Sequence, residues 1–285
     1  MSETRFQPRR YLGLELAGAK NPKTTLAVLE HYPKEHKTFL LELHDKIGAE
    51  KNKTGDEVLI EVIRESMLDS PHPTVKMGVN VPLELPPCTT CTKKVCPMPS
   101  KCTVPSVKWM RESVRRATRG ASSLKIRDFT PYTQRPVELW LRYQVLAELP
   151  EKLRFDIDET LGGNKAPLTA RMHFLKRHFG KLELIETWPK LTVARLFNDI
   201  KLNPRLIGSY RKLDEGAYAR GEIIEQLAKN LGIFIYERDA RTLSHNLSAF
   251  DAFLCAYGAV LEDHNQCEKI PKGFPEASGW VHYPE

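Results

Sequence analysis

The stretch RRYLGLELAG (9–18) alternates large apolar residues with small or polar ones, which is the pattern of a β-strand. TTLAVLEHY (24–32) and KTFLLELHDK (37–46) follow as further short strands, and the links between them suit hairpins. TGDEVLIEVIRESMLDS (54–70) instead repeats apolar residues at helical spacing, and TVKMGVNVPLEL (74–85) returns to a strand. The first third of the chain therefore predicts the order strand, strand, strand, helix, strand.

Beyond residue 103 the apolar spacing predicts mainly helices, with one further strand, KLELIETW, at 181–188. The predicted helices are 104–120, 135–149, 166–179, 189–200, 222–231 and 247–263. We find no internal repeat and no low-complexity linker. The pattern therefore favours one α/β domain, 1–285, with an insertion at 86–127.

Length and composition set the class of protein. The chain has 285 residues, 41% of them hydrophobic, and a formal net charge of +7. No stretch approaches the roughly 20 apolar residues that cross a bilayer, and the N-terminus lacks the pattern of a secretory signal. We therefore expect a cytoplasmic protein with no membrane contact. The positive charge permits attraction to nucleic acid or to anionic lipid without deciding between them.

Four of the six cysteines lie in PPCTTCTKKVCPMPSKC (86–102), with the spacing C-x2-C-x4-C-x5-C. In a reducing cytosol such a cluster favours a metal site over disulfides. The predicted ligands are Cys88, Cys91, Cys96 and Cys102. Structural Zn²⁺ is the first prediction, and an iron–sulfur cluster is the alternative because Pro97 follows Cys96. Disulfides or free thiols remain open.

A basic helix is predicted directly after this cluster. Lys108, Arg111, Arg115 and Arg119 recur at intervals of three or four residues, so they share one stripe of the helix. Such a stripe suits a phosphate backbone, and it predicts nucleic acid as a partner. The alternative is an ordinary solvated helix face.

Three separated acidic residues are candidates for one cation site. Glu15 lies inside the first apolar strand, Glu186 ends the strand 181–188, and Asp251 lies early in the last helix. If they meet at the carboxyl ends of the strands, they could hold Mg²⁺ or Mn²⁺ for two-metal phosphodiester cleavage. The alternatives are that Asp251 caps its helix and that Glu186 is solvated.

A family resemblance adds to this prediction. The motifs YLGLELAG, GVNVPLELP, TPYTQRPVELWLR, LIETWPK, NLSAFDAFLCAYGA and SGWVHYPE occur in this order along nearly the whole chain. They resemble the landmarks of a predicted-nuclease family, domain of unknown function four hundred and twenty-nine, of the ribonuclease H-like superfamily. The resemblance implies a mixed sheet with an antiparallel hairpin portion and helices on both faces.

The resemblance also implies a catalytic set of Glu15, Asn80, Glu186 and Asp251. The family usually has Asp at the first two of these positions. Glu15 lengthens the side chain by one methylene, and Asn80 removes a negative charge while keeping an amide oxygen as a weak ligand. Both departures bear on whether the chain can catalyse a reaction.

Arg135 and Arg171 lie in family-like stretches, and each could bind a phosphate or anchor a structural carboxylate. The sequence thus predicts a divalent-metal-dependent nuclease acting on DNA or RNA. The alternative is a catalytically impaired nucleic-acid-binding protein on the same scaffold. Two further rivals are an enzyme acting on a phosphorylated small molecule and a structural protein whose metal loop docks another chain.

Overall fold

The computed structural model describes residues 7–21, 23–68, 70–119, 129–197 and 199–285. No helix in these ranges is long and apolar enough to cross a membrane.

The chain forms two compact units. The first contains the residues up to Val81, Arg171–Glu268 and His282–Glu285. The second contains Pro82–Ala170 and Lys269–Val281. The predicted insertion at 86–127 therefore falls inside the second unit and covers only part of it, and its residues 120–127 lie outside the described residues.

In the described residues, seven strands form one mixed sheet with the order β6-β3-β2-β1-β4-β5-β7. They are β1 (Arg9–Glu15), β2 (Thr24–Tyr32), β3 (Lys37–Ile47), β4 (Thr74–Val79), β5 (Glu183–Thr187), β6 (Ile233–Phe234) and β7 (Val281–His282). The first three strands pair antiparallel, whereas β4 runs parallel to β1 and β5 runs parallel to β4. The predicted mixed α/β sheet with an antiparallel hairpin portion is confirmed.

Ten α-helical segments accompany the sheet in the described part of the chain. They are α1 (Gly55–Leu68), α2 (Pro105–Arg119), α3 (Pro136–Trp140), α4 (Leu146–Glu148), α5 (Lys165–Leu175), α6 (Pro189–Leu196), α7 (Pro204–Ser209), α8 (Gly216–Leu231), α9 (Glu237–His245) and α10 (Leu247–Asp263). The predicted helix at 135–149 is interrupted by a π-helical turn, Leu141–Val145. The bounds of α10 agree with the prediction of 247–263.

In the first unit, α10 lies directly on the sheet because two glycines leave room for it. Gly13 in β1 and Gly78 in β4 are register partners. A Cβ atom at Gly13 would lie 2.1 Å from the carbonyl oxygen of Ala252, and one at Gly78 would lie 2.0 Å from that of Cys255. Both distances are far below van der Waals contact, so the helix backbone occupies the place of the missing side chains.

We expect Gly78→Ala to lower the free energy of unfolding by about 2 kcal/mol, because the added methyl group forces α10 away from the sheet. Urea denaturation followed by circular dichroism measures the loss. Gly18→Ala is the matched control, since no atom lies within 4 Å of its added Cβ, and it should leave stability unchanged or slightly raised. Equal midpoints for the two variants would contradict the close packing of α10.

The second unit holds the cysteine cluster and the basic helix. On its buried side, Met110 of α2 packs with Leu139 of α3 and Tyr143. Further along the unit, the Trp109 and Phe274 rings pack edge to face with centroids 5.2 Å apart. The apolar side of α2 is thus fixed within the unit, which leaves its opposite side to solvent.

Candidate carboxylate site and nucleic-acid interface

Glu15 and Asn80 meet at the carboxyl ends of the adjacent parallel strands β1 and β4. The backbone N–H of Asn80 donates to the carbonyl of Leu14 at 3.2 Å, which continues the ladder one residue beyond β4. The side-chain Nδ2 of Asn80 then donates to Oε2 of Glu15 at 2.8 Å. The structure therefore brings these two predicted site residues together, and the hydrogen bond from the amide stabilises the carboxylate.

Asp251 lies on the first turns of α10, and its partner is an arginine. The side chain of Asp251 is 1% exposed, and Nη1 of Arg211 donates to its Oδ2 at 2.5 Å. The helix is capped by Asn246, whose Oδ1 accepts from two backbone N–H groups at the start of α10. Asp251 is therefore not the cap. It is a buried carboxylate with a guanidinium as counter-ion.

Tyr210 connects the two parts of this site. Burial raises the pKa of its hydroxyl, the charge of Asp251 raises it further, and Glu15 adds a smaller increase. Nη1 of Arg211 also donates to this hydroxyl, at 3.3 Å. Both carboxylates thus lie within electrostatic reach of the Tyr210 hydroxyl.

The side chain of Glu186 lies on the face of the sheet opposite to the one that α10 covers. It pairs with Val79 in the register of β4 and β5, whereas Gly78, which faces α10, pairs with Ile185. Paired residues share a face and successive residues alternate. Glu186 is 1% exposed, and its Oε1 accepts from Nε1 of Trp188 at 3.1 Å, so the alternative of a solvated carboxylate does not hold.

Across the described residues, no three His, Cys, Asp or Glu side chains form a group that could hold a metal ion. Glu15, Glu186 and Asp251 are therefore not gathered around one point. Of the remaining groups, Oε2 of Glu15 accepts from Nδ2 of Asn80, and Oδ2 of Asp251 accepts from Arg211. This arrangement does not fit a two-metal centre, because a guanidinium supplies the positive charge at Asp251.

Arg171 has a structural environment in the first unit. Its side chain is 7% exposed, and its Nη2 lies 2.7 Å from Oδ1 of Asp56. Its Nη1 donates to the carbonyl of Ala17 and to the hydroxyl of Thr24. Of the two alternatives for this arginine, these contacts favour the anchor of a structural carboxylate.

Arg135 is buried completely in the second unit. Its Nε donates to Oε1 of Glu138 at 3.1 Å, and its backbone N–H donates to Oε2 at 3.0 Å, so the Glu138 carboxylate reaches back to the N-cap residue at the start of α3. Thr160 donates its hydroxyl to the same carboxylate. With side-chain exposures of 0% and 1%, the pair is inaccessible to a phosphate, and Arg135 also serves as an anchor.

The stripe of α2 divides into two parts. Arg111 is half-buried and donates from Nη1 to the carbonyls of Pro99 and Cys102, so it ties the helix to the cysteine loop. Lys108, Arg115 and the neighbouring Arg116 are exposed. The side chain of Arg119 lies outside what the structure describes. The exposed cations therefore form a basic face, defined as Lys108, Arg115 and Arg116.

The cysteine cluster contains four free thiols of unequal exposure. Cys102 is buried, Cys88 is half-buried, and Cys91 and Cys96 are exposed. Burial raises the pKa of Cys88, and the charges of Cys102, Cys91 and Cys96 raise it further. The other three thiols thus lie within electrostatic reach of Cys88, and the predicted metal site stays a prediction.

Sequence reasoning missed two features. Arg211 follows a tyrosine in a short connection, a context that carries no signal of a counter-ion 40 residues from Asp251. The second feature is a cleft of about 400 Å³ whose lining includes His31, His36 and His264. Burial and the two neighbouring histidines lower the pKa of His31 to about 4, so its imidazole is neutral at pH 7.

Comparisons with protein-family models, with curated proteins and with solved structures found no match to this chain.

Proposed function

We propose that this chain is a nucleic-acid-binding protein on a ribonuclease H-like scaffold, with little or no metal-dependent turnover. The scaffold proposal is supported by the antiparallel β1-β2-β3 portion, by the parallel strands β4 and β5, and by the flanking helices. The binding proposal rests on one observation, the basic face of α2. Among the described residues, Lys108, Arg115 and Arg116 have no carboxylate partner, so their charges are available to a polyanion.

Helix geometry supports this role for α2. The side chains of Val107, Met110 and Ser113 are buried along one side of the helix, which fixes the opposite side outward. The connection before the helix adds Lys93, Lys94 and Lys101, all exposed. A rigid helix that carries several unpaired cations loses little conformational freedom when it binds a phosphate backbone.

The carboxylate site supports the non-catalytic part of the proposal. A nuclease of the two-metal kind needs a cluster of anionic oxygens that attracts the ions. Here Asn80 replaces a carboxylate of the family pattern, Glu186 lies on the other face of the sheet, and Arg211 neutralises Asp251. We therefore derive no hydrolytic step through these residues.

Replacement of the basic face tests the binding proposal. We expect K108Q/R115Q/R116Q to bind fluorescent DNA or RNA more weakly, with a slope of log K against log [salt] reduced by about 3, because each lost phosphate contact removes about one unit. Fluorescence anisotropy at several salt concentrations measures both quantities. The parent chain is assayed with single-stranded DNA, duplex DNA and RNA.

The matched control for this experiment is R64Q/R205Q/K229Q, which removes the same charges from exposed positions of the first unit. Its affinity for nucleic acid should equal that of the parent, apart from a small decrease caused by the lower net charge. A parent that binds none of the three nucleic acids would refute the proposal. So would an equal loss of affinity in the two triple variants, since that would reflect net charge and not a surface on α2.

Metal-dependent hydrolysis is the second candidate. It is favoured by the contact between Glu15 and Asn80 and by the electrostatic reach of both Glu15 and Asp251 to the Tyr210 hydroxyl. The parent is incubated with labelled DNA and RNA in Mg²⁺ and in Mn²⁺. Cleavage that E15Q and D251N both abolish would establish this candidate in place of a binding protein. Intact substrate under conditions in which anisotropy shows saturated binding would exclude it.

A further inference from the structure

The connection between β4 and α2, residues 80–104, contains no helix or strand. No residue from Thr89 to Lys101 is buried, and the side chains of Val95 and Met98 are 83% and 64% exposed. A long segment without an apolar core gains little burial to offset the entropy of ordering it. An additional interaction is therefore needed to give this segment one conformation.

The two ends of the segment are anchored to the rest of the second unit. The backbone N–H of Cys88 donates to the carbonyl of Pro131 at 3.0 Å. Nη1 of Arg111 donates to the carbonyl of Cys102 at 3.1 Å. The first and last cysteines are thus held in place, while Cys91 and Cys96 lie on the exposed part between them.

No disulfide joins any of the six cysteines, all of which the structure describes. In the part of the chain that the structure describes, the four clustered thiols do not surround a common point. One half-buried and one buried thiol lie at the anchored ends, and two exposed thiols lie between them. A donor set of this kind suits a site that an ion assembles as it binds.

We propose that one zinc ion, bound by the thiolates of Cys88, Cys91, Cys96 and Cys102, folds this segment. The two-residue gap between the first pair lets both sulfurs reach one ion, and four thiolates complete a closed tetrahedral site. Such a site leaves no open position for a substrate, so its role is structural. The ion replaces the missing core and, through Arg111, fixes the connection to the first turns of α2.

Metal analysis of the parent protein tests this inference. Protein purified anaerobically without chelator is expected to be colourless and to contain one zinc per chain by elemental analysis. C91S and C96S should each lose this stoichiometric zinc. Because both side chains are exposed, neither change opens a cavity, and circular dichroism checks that the sheet and helices remain. C267A, at a cysteine outside the cluster, is the control and should keep its zinc.

A second measurement does not depend on variants. Parent protein stripped by a chelator should take up one equivalent of Co²⁺ and gain the visible absorption of a tetrahedral cobalt–thiolate site, which zinc then displaces. Parent protein without metal that also fails to take up Co²⁺ would overturn the inference. C91S and C96S that retain zinc as the parent does, or a brown protein with iron and sulfide, would overturn it as well.

The zinc inference stands apart from the proposed function. Stoichiometric zinc in a protein that binds no nucleic acid would reject the binding proposal and leave the metal site intact. Salt-dependent binding of nucleic acid by a protein that takes up neither zinc nor cobalt would support the binding proposal and reject the metal site.

Discussion

Arg135→Met is expected to lower the free energy of unfolding by about 4 kcal/mol, because it leaves the carboxylate of Glu138 buried without its counter-ion. The two side chains are 0% and 1% exposed, so water cannot replace the lost guanidinium. Burial already raises the pKa of Glu138, and the charge of Arg135 opposes that rise. Chemical denaturation of the two proteins at pH 7 measures the difference.

The double variant R135M/E138Q is the control, because it removes the buried charge and keeps an acceptor for the backbone N–H that caps α3. It should recover a large part of the loss. The deficit of Arg135→Met should also shrink as the pH falls. The pKa of Glu138 in the folded state, already raised, rises further in this variant. Below that pKa the folded state keeps a proton that the unfolded state has released, and stability is lost as the pH rises through the folded-state pKa.

An equal loss for the single and double variants would show that packing, not charge, explains the effect of Arg135. A deficit that does not change between pH 5 and pH 8 would lead to the same conclusion.

The order of the first five elements was predictable because hydrophobic periodicity decides it. A strand such as 24–32 alternates with period two, while 54–70 repeats with the helical period. The helix α10 was predictable because thirteen of its seventeen residues are buried, so almost its whole circumference is apolar. The short elements β6 and α7 lacked this signal, since two to six residues carry too few apolar positions to define a period.

The carboxylate site was predictable only in part. Glu15 is the last residue of β1 and Asn80 directly follows β4, so their meeting depends on strand order alone. The position of Glu186 depends instead on the register of β5, where a shift by one residue moves every side chain to the opposite face. The pairing of Arg211 with Asp251 joins distant parts of the chain and has no pattern that one sequence can show.

Burial decided between alternatives that residue type could not separate. Arg135, Arg171 and Arg115 have the same chemistry, and each could bind a phosphate. Arg135 and Arg171 are enclosed with a carboxylate partner, whereas Arg115 is exposed on a helix whose other side is packed. Whether a given arginine contacts solvent depends on tertiary packing, which a motif does not encode.

Arg211→Gln is expected to lower the free energy of unfolding by about 3 kcal/mol at pH 7. The side chain of Asp251 is 1% exposed, and the change removes the guanidinium that lies 2.5 Å from its Oδ2. Loss of one partner of such a pair leaves a buried charge uncompensated. The matched control is Arg241→Gln, which breaks an ion pair with Glu237 whose side chains are 74% and 78% exposed and should cost less than about 1 kcal/mol.

The same variant tests whether Arg211 replaces a metal ion at the carboxylate site. We expect Mn²⁺ to leave the unfolding midpoint of the parent unchanged and to raise that of Arg211→Gln, because a ligand stabilises only the protein whose native state binds it. Arg211→Gln/Asp251→Asn should lose the response to Mn²⁺.

If Mn²⁺ instead stabilises the parent and Asp251→Asn abolishes the effect, an ion binds beside Arg211 and the hydrolytic candidate replaces the binding protein. A loss below about 1 kcal/mol in Arg211→Gln would show that Asp251 does not need this counter-ion, and the physical argument against a metal at this site would fail.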